Sequence, residues 1–185
     1  MVVRWKRVTM WAMPIARPGS DEVPPSMQAY LEEVAGDDAI LALTSQRQSS
    51  ARRLAGVTEP RAAHRYAEGK WSVREVVGHV SDTERVFAYR ILRFARGDST
   101  PLPGFDENEY VRGARFERRP FADVLAEWIT VRAATLVLVH SLDAQSLPRH
   151  GIANGRSVSV AGLAWMIAGH EAHHMRILQE RYGIE

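Results

Sequence analysis

The sequence contains no cysteine. Disulfides, thiolate metal sites and cysteine nucleophiles are therefore excluded, and a reducing cytoplasm is the expected setting. No run approaches the roughly 18 uncharged apolar residues that mark a membrane-spanning helix, so no membrane partner is expected. Internal repeats, low-complexity tracts and period-2 alternation of useful length are also missing, which argues against solenoids, disorder and sheet proteins. No secretory signal is expected either: the apolar run "VTMWAMPIA" is short, and no small-x-small cleavage site follows it.

Excess charge is absent from most of the chain. The formal net charge is +2, and residues 1–25 account for it, with Arg4, Lys6, Arg7 and Arg17 against Asp21 and Glu22. Residues 26–185 therefore balance to zero. A nucleic-acid binder concentrates positive charge on its folded face, so no nucleic-acid partner is expected. Residues 1–25 read as a flexible extension closed by Pro24 and Pro25. The remaining 26–185, with ordinary composition, are one domain's worth of chain.

What is present is helical patterning. "SMQAYLEEVA" stops at Gly36, and "DDAILALTSQRQSSARRLAG" follows with Asp37 or Asp38 as N-cap and Gly56 as terminator. The next helix opens on a capping box, Ser72-Val73-Arg74-Glu75, and its apolar residues Val76, Val80, Phe87, Ile91 and Phe94 share one face. A Pro/Gly-rich connection from Gly97 to Pro120 leads to a helix over Phe121–Leu142, and a last one runs from Val158 to Tyr182. The expected fold is all-α: a four-helix bundle, up-down-down-up, with a long crossover between its second and third long helices.

The last helix carries "HEAHH", residues 170–174, which reads literally as the H-E-x-x-H signature of zinc proteases. Metzincins would need a glycine turn and a histidine where this chain has Ile177 and Glu180, and "MRILQERY" continues as helix. Only eleven residues follow His174, too few for a further helix bearing a ligand, and no strand is visible to align a peptide. The protease reading is set aside. His170 and His174 remain, within about 20° of the centre of the apolar stripe and one turn apart. Two imidazoles on a buried stripe need polar partners, and a shared divalent metal supplies one. His79, on the second long helix, offers a third nitrogen inside the bundle, where metal sites are commonly built.

Residues 69–98, "GKWSVREVVGHVSDTERVFAYRILRFARGD", together with "PLPGFDENEYV" (101–111) and "AGHEAHHMRILQERYG" (168–183), strongly resemble the DinB/YfiT-like family. The resemblance covers about residues 26–185, and its most specific marks are W-S-x-x-E-x-x-x-H and H-x-x-x-H. It implies a four-helix bundle, often a homodimer, holding zinc or nickel through three side chains. His79 matches the family's helix-two histidine, and His170 and His174 match its helix-four pair. Some relatives are thiol-dependent enzymes, transferring bacillithiol, mycothiol or glutathione or isomerising maleylpyruvate; many have no known activity. The resemblance thus implies a metal-dependent enzyme that activates a low-molecular-weight thiol toward a small electrophile. A hydrolase, and a non-catalytic metal-binding or stress-response module, are the alternatives.

Other polar residues carry weaker expectations. Asp82 either orients His79 as a neighbouring carboxylate or is a solvated acid. Glu171 is expected on the flank or surface rather than as a general base. Asp106, Glu107, Asn108 and Tyr110 could line a cavity mouth, with a turn cap by Asp106 the simpler account. Trp71 and Trp165 are expected to pack, and His64, His140 and His150 to lie in or beside connections.

Overall fold

The structure, a computed structural model, describes residues 13–185. In chain order the elements are α1 (Gln28–Glu32), α2 (Ala39–Ala55), α3 (Glu59–Ala63), α4 (Val73–Ala95), α5 (Glu107–Ala114), α6 (Phe121–His140), β1 (His150–Ala153), β2 (Arg156–Ser159) and α7 (Val160–Tyr182). Short polar side chains start three of the long helices, α2, α4 and α7. Asp38 Oδ1 accepts from Ile40 N at 2.9 Å, and Ser159 Oγ accepts from Gly162 N at 2.8 Å. At α4 the capping box is complete: Glu75 N donates to Ser72 Oγ, and Ser72 N donates to Glu75 Oε2 at 2.6 Å. Gly183, at φ 62°, ends α7 in the left-handed conformation that suits glycine.

The contacts between helices fix their directions. Gln46 Nε2 donates to Ala168 O and Arg53 Nη1 to Met175 O, so α2 and α7 run parallel. Tyr182 OH donates to Trp71 O while Phe87 packs beside His170, so α4 runs antiparallel to α7. Arg85 pairs with Glu127, and Leu92 lies near Leu138, so α4 and α6 are parallel. The bundle is therefore up-down-down-up. Two consecutive parallel helices require a return path, roughly 35 Å for the 23 residues of α4. The segment between Arg96 and Pro120, with α5 inside it, supplies that path.

Apolar packing forms two clusters. One gathers Phe87, Ile91, Phe94, Leu163, Trp165 and Ile167 around the hairpin end. The other gathers Val73, Val76, Val80, Trp128, Met175 and Leu178 at the opposite end. Between them lies a buried polar layer of Ser50, His79, Glu84, Arg132, His170, Glu171 and His174.

Three features depart from the sequence reading. Residues 13–25, expected to be flexible, are tied to the bundle: Ile15 is buried, Ala39 N donates to its carbonyl at 3.0 Å, and Trp165 Nε1 donates to Ile15 O and Ala16 O. The Arg17 guanidinium also caps the carbonyls of Leu31, Val34 and Gly36. The part of that extension before Met13 lies outside the described residues. Secondly, β1 and β2 form an antiparallel hairpin where only a connection was expected. Its turn is Asn154-Gly155, both at positive φ (52° and 71°), the pairing that a tight primed turn demands. Thirdly, Glu171 is fully buried. Its carboxylate faces Arg132 Nη1 at 2.5 Å and accepts from Ser50 Oγ at 2.7 Å.

Candidate metal centre

Helix α4 brings His79 to the cavity side of the bundle, and α7 brings His170 and His174 from one turn of the facing helix. His79 Nε2 lies 3.0 Å from His170 Nε2, which lies 3.1 Å from His174 Nε2. The three rings cross edge to face, with centroids 4.5–4.9 Å apart. One N–H can serve one such nitrogen–nitrogen contact well, and His170 Nε2 faces two. A cation at about 2.0–2.1 Å from each nitrogen would serve all of them. The donor set thus fits a metal ion, and these three form a buried cluster that could hold one.

Burial keeps the rings neutral, as ligation requires. It pushes His79 down to about 4. His174 is pushed to about 3, by burial first and then by the neighbouring imidazoles His79 and His173. His170 lies well below the ordinary histidine range, again by burial first and then by the rings around it. His79 Nδ1 is within 3.5 Å of Thr83 Oγ1. Asp82 does not take that place: it points to Arg85, with Oδ1 accepting at 3.1 Å. His173, beside the pair on α7, turns outward to Glu33 at 3.1 Å.

A cavity of about 410 Å³ opens onto the three rings. Its walls include Trp71, Thr83, Phe87 and Arg90 around α4, Tyr30 on α1, and Ala153, Asn154, Arg156 and Val158 from the hairpin. Glu107 of α5 also lines it, whereas Asp106 caps α5 by accepting from Asn108 N and Glu109 N. Asn108 lies with Gly104 and Asn154 in a shallower adjoining pocket. Tyr110 is exposed and stacks on Phe105. His64 ends α3, His140 ends α6 and His150 starts β1.

The sequence model of the DinB superfamily matches residues 42–178, which include all three histidines. The chain belongs to the DinB superfamily. YfiT from Bacillus subtilis, described as a probable metal-dependent hydrolase with an unusual four-helix bundle topology, shares the fold. It matches with a TM-score of 0.63 at 16% identity, over 91% of this chain and 94% of that one. A mycothiol-dependent maleylpyruvate isomerase also matches at a TM-score of 0.63, with 17% identity over 78% of this chain. The match spans 59% of the isomerase's length. A search of curated proteins gave no match.

Within this DinB superfamily chain, two glycines have a role that their spacing did not disclose. Each directly precedes a cluster histidine. A Cβ at Gly169 would lie 2.4 Å from Tyr30 O, so only glycine lets α1 close over His170. A Cβ at Gly78 would lie 2.3 Å from the Phe116 ring, which the crossover packs behind His79. Tyr30 meets His170 edge-on at 6.0 Å, and Trp71 covers His79 at 4.7 Å. Trp71 packs as expected, but its packing surface is the wall of the cavity.

Proposed function

We propose that this protein is a metal-dependent enzyme of small-molecule chemistry, with His79, His170 and His174 as the ligands of a zinc or nickel ion. The observation that carries the reading is the convergence of three neutral Nε2 atoms at the floor of a cavity rather than in sealed core. Three protein ligands leave an exchangeable position, and there the ion would lower the pKa of a bound thiol or water. Among the two, a low-molecular-weight thiol acting on a small electrophile is the reaction we favour. The chain itself has no cysteine to supply a nucleophile.

The residues of the chain contribute position and exclusion. Trp71, Tyr30 and Phe87 wall the histidines with aromatic surface, which keeps water from the reacting atoms and orients a ligand. Thr83 Oγ1 holds the His79 ring from its far nitrogen, which leaves Nε2 turned to the cavity. The hairpin and α5 close the outer wall, so the cavity takes a small molecule and not a folded partner.

Hydrolysis is the second reading, favoured by the description of YfiT as a probable metal-dependent hydrolase. The two are separated by co-reactant. Protein purified without chelators is assayed for metal content, then screened with thiols against haloaromatic and epoxide electrophiles and, without thiol, against small esters and amides. Thiol-dependent loss of an electrophile supports transfer; turnover without thiol supports hydrolysis. A metal-loaded protein inert in both screens, whose Tm falls on chelation, would leave a structural metal module.

A further inference from the structure

Arg90 lies on the same stripe of α4 as His79, Thr83 and Phe87, and it lines the same cavity. It is 6% exposed. Among the described residues its one protein acceptor is the carbonyl of Pro103, to which Nη2 donates at 2.9 Å. The other buried arginines of the described residues are paired: Arg132 with Glu84 and Glu171, and Arg74 with Glu59. Among the described residues, no carboxylate pairs with Arg90. Residues 1–12 contain no aspartate or glutamate, so they hold no counter-charge for it either. Burial alone moves its pKa, downward, with no acidic neighbour to oppose it.

A guanidinium taken out of water without an anion is costly, and the cost falls when an anion arrives. The fork geometry of arginine suits a carboxylate held by two parallel hydrogen bonds. The cavity mouth differs, because there Arg156 has Ser26 Oγ at 3.1 Å and Glu107 adds the opposite charge. Eleven residues separate His79 from Arg90, roughly 16 Å along the helix axis. One simple ion on the histidines would leave Arg90 unanswered, whereas an elongated molecule reaches both.

We propose that Arg90 is a specificity residue of this cavity, binding the carboxylate of an elongated small molecule whose other end reaches the three-histidine floor. The inference rests on the functional reading above, since it names the class of molecule that the same cavity takes. The carboxylate belongs either to the thiol or to its acceptor, and the two sources give different results.

The test is calorimetric titration of the metal-loaded, full-length protein with two acid–neutral pairs. Glutathione is compared with its diethyl ester, and 4-phenylbutyrate with 4-phenylbutyramide. Loss of a charge-assisted pair is worth about tenfold or more in Kd. If the thiol carries the carboxylate, glutathione binds at least tenfold tighter than its ester; if the acceptor does, phenylbutyrate outbinds its amide by that factor. R90M should abolish whichever preference exists while metal content stays at the wild-type level. R90K keeps the charge without the fork, and should retain part of it. R90K also serves as the decisive variant if R90M does not fold. Absence of both preferences in the wild type, or an undiminished preference in either folded variant, overturns the proposal. The functional reading fails separately. A cobalt-substituted protein that shows no thiolate band with glutathione, yet keeps the acid preference, would refute thiol activation and leave Arg90 standing.

Discussion

His79 Nε2 lies 3.0 Å from His170 Nε2, across 91 residues of sequence and two antiparallel helices. That distance lets one ion meet both rings, and on the proposed metal reading removal of either ring should abolish binding. His79→Ala, His170→Ala and His174→Ala are each expected to reduce bound zinc or nickel from about one equivalent to near zero, read by elemental analysis. A folded His79→Ala protein with full metal content would remove His79 from the ligand set.

Burial also sets an acid limit on the metal-free fold. The folded pKa values, about 4 for His79 and about 3 for His174, lie below the ordinary 6.5. Between those values the unfolded chain binds more protons than the folded one, so stability falls as pH drops below 6.5 and continues to fall until about 4 and then about 3. For His79 alone the loss from pH 7 to pH 5 is roughly 2 kcal/mol. Urea unfolding of chelated protein at the two pH values measures the total, and His79→Gln should remove the His79 share while His170 and His174 keep theirs. A wild-type midpoint unchanged between pH 7 and pH 5 would show that these rings are not held neutral.

Gly169→Ala places a methyl against the backbone of Tyr30. Overpacking of this kind costs about 1–3 kcal/mol, and here it also displaces the aromatic cover of His170. The expected result is a lower Tm together with weaker metal retention against a chelator. Full retention with an unchanged Tm would show that α1 yields without consequence for the site.

Arg132 is fully buried between Glu84 and Glu171, with Glu84 Oε1 and Oε2 accepting at 2.8 and 2.9 Å. Arg132→Met strands two buried carboxyl groups and should cost about 3–5 kcal/mol. Glu171→Gln should cost far less. Burial pushes the Glu171 carboxyl upward despite Arg132, and the amide keeps an acceptor for Ser50. Denaturant midpoints of the two variants decide this, and equal losses would contradict the ordering. Glu171→Gln protein should also retain its metal, as befits a residue turned away from the histidines.

Much of the bundle was legible in the sequence. The capping box at Ser72, the apolar stripes and the glycine stops marked the long helices, because helix signals are local and repeat every 3.6 residues. Residues 170–174 announced a cluster for the same reason, since i and i+4 share a face whatever surrounds them. The hairpin had one readable signal, Asn154-Gly155, but its strands are only four residues each and too short to show alternation. Glu171 was misplaced because its angular position on the helix put it on the flank of the apolar stripe. In the bundle that flank meets α2 and α6, where Ser50 and Arg132 await it.

By itself, then, the sequence determined which segments coil, where they stop, and that two histidines share one helical face. Those are properties of short stretches of chain. Only the tertiary structure decided that residues 13–25 belong to the fold, that Thr83 rather than Asp82 faces His79, and that Gly78 and Gly169 admit neighbouring elements. It also decided that Arg90 is a buried cation without an anion. Partnership between groups far apart in sequence depends on how helices cross, and no local periodicity carries that information.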